Sequence, residues 1–192
     1  SMPLDAATEE IFDEVKGVYA GGPYKWKEQF ELLGEAVEIF GKGNVSTHLI
    51  TGLGESEKQM VRTIQRCLDM GVLPALFAFT PIHGTALESV RPPPVQKYRR
   101  VQVARQLIVL ELARFEDMTF DDEENLTNFG VDKKTLVNTI EKRLAFLTSG
   151  CPDCNRPFYN ESPGGTLYNY PRALTAPEAA QAAREMELSE DE

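Results

Sequence analysis

The stretch from Val45 to Leu87 constrains the fold of this chain more than any other. Val45 to Ile50 is a strand-like run that stops at the turn Thr51-Gly52-Leu53-Gly54-Glu55. Leu73 to Phe79 is almost wholly apolar and stops at Thr80-Pro81-Ile82-His83-Gly84-Thr85. Between them Met60, Val61, Ile64, Cys67, Leu68 and Gly71 fall at helical spacing. Strand, glycine turn, helix, strand predicts a parallel βαβ unit. Ligands of such units sit at the carboxyl ends of the strands. Both glycine-containing loops are therefore expected on one rim, and that rim is where chemistry is sought.

The flanking segments predict helices. Asp5 or Thr8 caps a short helix carrying Ile11, Phe12 and Val15. Gly17 to Tyr24 is a loop. Trp26 to Phe40 has an apolar stripe of Phe30, Leu33, Val37 and Phe40 opposite Glu28, Glu31, Glu35 and Glu38. Arg91-Pro92-Pro93-Pro94 is a rigid connector. Tyr98 to Phe115 is a long helix with Val101, Ala104, Leu107, Ile108 and Leu112 inward. Arg99, Arg100 and Arg105 are expected mostly outward. Glu116 to Gly130 reads as a surface loop with a turn of helix, and Val131 to Leu147 as a helix capped by Asp132. From Ala176 a short Ala-rich helix fades into an acidic tail. Two parallel strands alone do not make a stable sheet. The chain is thus expected to be a fragment or to pair with another chain. Ser1 ahead of Met2 reads as a cloning remnant.

A net charge of −10 argues against non-specific nucleic-acid binding. Part of that charge lies in the runs Glu116 to Glu124 and Glu185 to Glu192, read as solvated surface or a disordered end. No apolar run approaches a membrane span and no signal peptide is visible, so no membrane partner is expected. Three cysteines do not make a disulfide framework, and a reducing, cytoplasmic setting is the default.

Several residues carry candidate chemistry. Gly52 and Gly54 let a backbone approach a flat or sugar-like ligand. Glu55 is placed to accept hydrogen bonds from ribose hydroxyls, although a glycine turn followed by a first-turn helix glutamate explains the same letters. Cys151-Pro152-Asp153-Cys154 has the spacing to hold one zinc ion or one edge of an iron–sulfur cluster, and two unreactive thiols in a turn is the alternative. Cys67 reads as a small core residue. His48 reads as a core or barrel-lining histidine, and His83, in the rim loop, as the better ligand candidate. Arg156, Tyr159, Asn160, Tyr168, Asn169, Tyr170 and Arg172 form a polar-aromatic cluster. That cluster suits a pocket, a clasp for a partner chain or a loop packed by its tyrosines.

From Leu4 to about Leu110 the order of elements resembles biotin synthase. More broadly it resembles the biotin- and lipoyl-synthase-like branch of the radical S-adenosylmethionine enzymes. His48-Leu49-Ile50-Thr51-Gly52-Leu53-Gly54-Glu55 is similar to the family's G-x-I-x-G-x-x-E type motif, with His48 in place of the first glycine. Thr80 to Thr85 is similar to the loop after the family's next strand. The resemblance implies a partial (β/α) barrel, the C-terminal half of a TIM-type barrel, with a helical and Cys-containing C-terminal extension. It implies barrel half 3–115, helical extension 116–150, a Cys-Pro-Gly-rich loop module 151–175 and a flexible acidic tail 176–192. It implies S-adenosylmethionine held by Thr51, Gly52, Gly54, Glu55, Pro81, Ile82 and Gly84. The [4Fe-4S] cluster would have its ligands elsewhere, because C-x3-C-x2-C is absent here. Cys151 and Cys154 would then serve an auxiliary iron–sulfur cluster or a zinc ion. The partners implied are the N-terminal barrel half or another chain, and a small-molecule substrate or a lipoyl- or biotin-type acyl precursor. Catalytic residues are not assigned. A non-enzymatic metal-binding assembly module is the rival expectation.

Overall fold

The computed structural model describes residues 1–149 and 164–187. Its helices are α1 (Glu9–Val15), α2 (Trp26–Phe40), α3 (Glu57–Asp69), α4 (Val95–Val109), α5 (Lys133–Glu141) and α6 (Ala176–Arg184). Its strands are β1 (Val45–Thr51), β2 (Val72–Ala78), β3 (Thr119–Phe120) and β4 (Leu126–Asn128). β1 and β2 pair in parallel from Val45 opposite Val72 to Thr51 opposite Ala78. The turns that follow them therefore leave side by side.

Side-chain caps set the starts of α1, α3 and α5. Thr8 Oγ1 accepts from Ile11 N at α1, and Asp132 Oδ1 from Thr135 N, 2.8 Å, at α5. Ser56 and Gln59 form a reciprocal capping box at α3, with bonds of 3.1 and 2.9 Å. Apolar spacing then decides which face packs. Met60, Val61, Ile64 and Cys67 of α3 are buried, as are Trp26, Phe30 and Leu33 of α2. The Trp26 ring meets Phe12 and Phe30 edge-on, with centroids 5.5 and 5.0 Å apart.

Four features differ from the sequence expectation. First, the sheet gains an edge from the chain's own N-terminal segment. Asp5 N donates to His48 O, 2.8 Å, and Ile50 N to Asp5 O, 2.7 Å, so this segment runs parallel to β1 and places β1 in the middle. A run this short, holding a proline, has no periodicity to announce it. Second, β3 and β4 form an antiparallel hairpin where a surface loop was expected. Asp121 Oδ1 closes its turn by accepting from the backbone N–H of Glu123 and Asn125, at 3.0 and 2.8 Å. The Asn125 side chain, donating Nδ2 to Asp121 Oδ2 at 3.0 Å, and then these backbone bonds hold the Asp121 carboxyl below its usual range.

Third, the α4 arginines turn inward. Arg99 is 1% exposed. It donates to Glu185 Oε2 at 2.8 Å, to Gln102 Oε1 at 2.8 Å, and to the carbonyls of Tyr168 and Leu167 at 2.5 and 2.7 Å. Arg100 forks onto Glu57 and donates to Met186 O, 2.7 Å. Outward placement was the expectation because periodicity ranks a charge as polar and is blind to partners such as Glu57 and Glu185, 43 and 86 residues away in sequence. Fourth, α4 and α5 stop at Val109 and Glu141, where helices to Phe115 and Leu147 were expected, while the helix expected from Ala176 forms as α6 and packs on the core. Ala179, Ala182 and Met186 are buried, and Gln96 donates to Glu187 Oε1, 2.9 Å.

Tyr168, Asn169 and Tyr170 pack on α4 rather than lining an open cleft. Asn169 Nδ2 donates to Tyr98 Oη, 2.9 Å, Gln102 Nε2 to Asn169 Oδ1, 3.0 Å, and Tyr168 Oη to Pro93 O, 2.7 Å. Among the described residues no sheet closes on itself, and no helix is long and apolar enough to cross a membrane.

Candidate functional site on the carboxyl-end rim

The parallel register puts Gly52 to Glu55 and Thr80 to Thr85 on one rim, at the ends of adjacent strands. Thr51 is buried at the end of β1, and its Oγ1 has no hydrogen-bond partner among the described residues. Gly52 and Gly54 both sit at positive φ, 106° and 117°, which only glycine adopts freely. Their surroundings differ. A Cβ at Gly52 would lie 2.8 Å from Pro93 Cδ, whereas one at Gly54 would meet nothing within 4 Å. Gly54 therefore offers bare backbone to a ligand, and Gly52 offers it to the proline connector.

Glu55 has a different part from the one the motif suggested. Its carboxylate turns back into its own loop and is 3% exposed. Oε1 accepts from Gly52 N, 2.9 Å, and Oε2 from Leu53 N, 3.0 Å. Lys97 Nζ pairs with Oε1 at 2.8 Å and also donates to the Glu55 carbonyl. Two backbone donors and an ammonium already occupy it, so it organises the turn and is not directed at a ribose hydroxyl. Lys97, on the first turn of α4, is a rim residue that the motif did not flag. It follows a proline connector and belongs to no recognisable pattern.

The second loop is open. Pro81 is half-buried and Ile82 is 64% exposed. Gly84 N donates to Glu88 Oε2, 2.7 Å, and His83 Nδ1 lies 3.0 Å from that same oxygen. His83 is thus exposed and engaged with Glu88. His48 lies inside β1, its ring 4.8 Å from that of Phe77. Burial holds its pKa below the ordinary value, partly opposed by Asp5.

Asp5 and Lys16 are a further polar pair near this rim. Lys16 Nζ donates to Asp5 Oδ2 and to Pro3 O, each at 2.8 Å. Asp5 takes φ 65°, an uncommon conformation for a residue with a Cβ. The sequence offered Asp5 only as a helix cap, a part that Thr8 takes.

Cys67 is buried, and burial pushes its thiol up to about 12, in keeping with a core role. Among the described residues no group of three or more His, Cys, Asp or Glu side chains is arranged to hold a metal ion. Cys151 and Cys154, with Arg156, Tyr159 and Asn160, lie outside the described residues. No family model, no curated protein and no solved structure matches this chain.

Proposed function

We propose that this chain is part of a radical S-adenosylmethionine enzyme of the biotin- and lipoyl-synthase-like kind, working in the cytoplasm. It would contribute one side of the cofactor pocket within a partial (β/α) barrel. The observation that carries this reading is the pairing of the two glycine-containing turns on one rim, at the ends of parallel neighbours. When bound beside a [4Fe-4S] cluster, S-adenosylmethionine supplies a 5′-deoxyadenosyl radical for hydrogen abstraction from an unactivated carbon.

The fit of the rim to that cofactor is partial and specific. Gly54 presents unobstructed backbone, Ile82 an exposed apolar side chain for a flat base, and Thr51 a buried hydroxyl lacking a partner among the described residues. Glu55, through Gly52, Leu53 and Lys97, keeps the turn in the shape that exposes Gly54. The cluster ligands come from another segment or chain. Sulfur insertion through an auxiliary cluster at Cys151 and Cys154 belongs to the same reading. So does a small-molecule substrate or a lipoyl- or biotin-type acyl precursor.

The test is anaerobic reconstitution of the complete gene product with iron and sulfide, then reduction with S-adenosylmethionine present. Release of 5′-deoxyadenosine is expected, and Gly54→Trp, which fills the open backbone face, should abolish it while Glu55→Gln weakens it. A colourless protein that holds zinc and forms no 5′-deoxyadenosine would overturn this reading in favour of a metal-binding assembly module.

A further inference from the structure

The outer edge of β2, the edge away from β1, carries a second feature that is independent of the rim. Alternate residues of a strand aim their backbone groups at opposite edges. Phe79 N bonds to Thr51 O of β1, so the groups of Pro74 and Leu76 face the outer edge. Pro74 is tolerated there because its missing N–H would not have served the β1 ladder. Its carbonyl accepts from Arg105 Nε of α4, 2.6 Å. Two residues on, roughly 6.6 Å along the strand, Leu76 N donates to Ser149 Oγ, 2.7 Å.

Both side chains keep donors in reserve. Arg105 is half-buried, and its bond to Pro74 is its one hydrogen bond among the described residues. Among the described residues no carboxylate pairs with it, unlike Arg99 and Arg100 on the same helix. Its Nη1 and Nη2 are the end of the guanidinium fork that grips an oxyanion with two parallel bonds. Ser149 Oγ accepts from Leu76, which leaves its own O–H free to donate. Burial depresses the Arg105 pKa to about 10, partly opposed by Tyr98.

We propose that Arg105 and Ser149 form a binding site for a small oxyanion, the carboxylate or phosphate of a low-molecular-weight ligand, at the outer edge of β2. The anion supplies the counter-charge that Arg105 lacks among the described residues. The guanidinium fork takes two of its oxygens, and the Ser149 hydroxyl donates to one of them. The charge of a single guanidinium suits a monoanion or one face of a phosphate.

Thermal unfolding of the purified chain is followed in sodium phosphate, sodium acetate or sodium chloride at equal ionic strength. Phosphate, acetate or both should raise the midpoint by about 4 °C at roughly tenfold excess over the dissociation constant. The arm that responds identifies phosphate or carboxylate as the ligand chemistry. Arg105→Met should lose that shift while its midpoint in chloride stays level or rises, because a stranded charge has been removed. Ser149→Ala, which keeps Arg105, should weaken the apparent affinity severalfold. Equal midpoints in all three salts would overturn the site, and so would an undiminished shift in Arg105→Met. If Arg105→Met is too unstable to read, an undiminished affinity in Ser149→Ala serves as the overturning result.

Discussion

Replacing Glu57 by alanine tests whether this fold is locked by buried charge. The Glu57 side chain is 1% exposed, and that of Arg100 is 14% exposed. Arg100 Nε reaches Glu57 Oε2 at 2.9 Å, and Nη2 reaches Oε1 at 2.5 Å. Leu126 N donates to Oε2 at 2.8 Å. One carboxylate thus joins α3, α4 and the β3–β4 hairpin, and Arg100 extends the link to the Met186 carbonyl at 2.7 Å. Removing one partner of a buried pair costs about 3–5 kcal/mol, because the other charge is left uncompensated. The orphaned Leu126 N–H, a loss of about 1–3 kcal/mol by itself, pushes the total toward the upper end of that range. For a chain of this size the cost corresponds to a fall in Tm of about 6–20 °C. With an m-value of about 2 kcal/mol/M it lowers the urea midpoint by about 1.5–2.5 M. Circular dichroism in a urea series reads this directly. The double variant Glu57→Met with Arg100→Met separates the two contributions. If a stranded charge is the cause, the double variant recovers much of the loss, since apolar replacements of a buried pair are often neutral. A single variant within about 0.5 kcal/mol of the parent would refute the reasoning. A double variant no more stable than Glu57→Ala would also refute it.

Other expectations follow from the same geometry. Gly52→Ala should destabilise more than Gly54→Ala in urea, since both suffer positive-φ strain but only Gly52 meets Pro93; equal losses would place Pro93 elsewhere. Cys67, its thiol pushed up to about 12, should resist a thiol reagent until the chain unfolds, as read by mass mapping of the labelled residue; rapid native labelling would contradict its burial. His48 is depressed by burial in the folded state, so the unfolded chain takes up its proton first as pH falls through about 6.5. Stability is therefore lost below that pH, and His48→Gln should show a shallower loss between about pH 7 and 5; an identical slope would count against it. The isolated chain should bind S-adenosylmethionine weakly, because C-x3-C-x2-C is absent; low-micromolar calorimetric binding without iron would refute this.

The sequence by itself determined the elements whose information is local. β1, α3 and β2 were legible because a strand-like run gives way to helical spacing and then to a continuous apolar run within Val45 to Ala78. The onsets at Thr8, Ser56 and Asp132 rest on caps three residues long. Tertiary structure alone decided whatever depends on partners distant in the chain. Arg99 and Arg100 face inward because Glu185, Glu57 and the 167–168 and Met186 carbonyls receive them, and no local pattern reports such partners. The Met2–Asp5 edge exists because β1 offers it unpaired backbone groups. At the rim, the letters G-L-G-E were enough to mark a turn of interest but not to say which atoms it exposes. Lys97, 42 residues further on, draws Glu55 inward and leaves Gly54 as the bare backbone. A carboxylate goes to whichever donors the fold brings closest, and closeness in space is what a linear sequence does not encode.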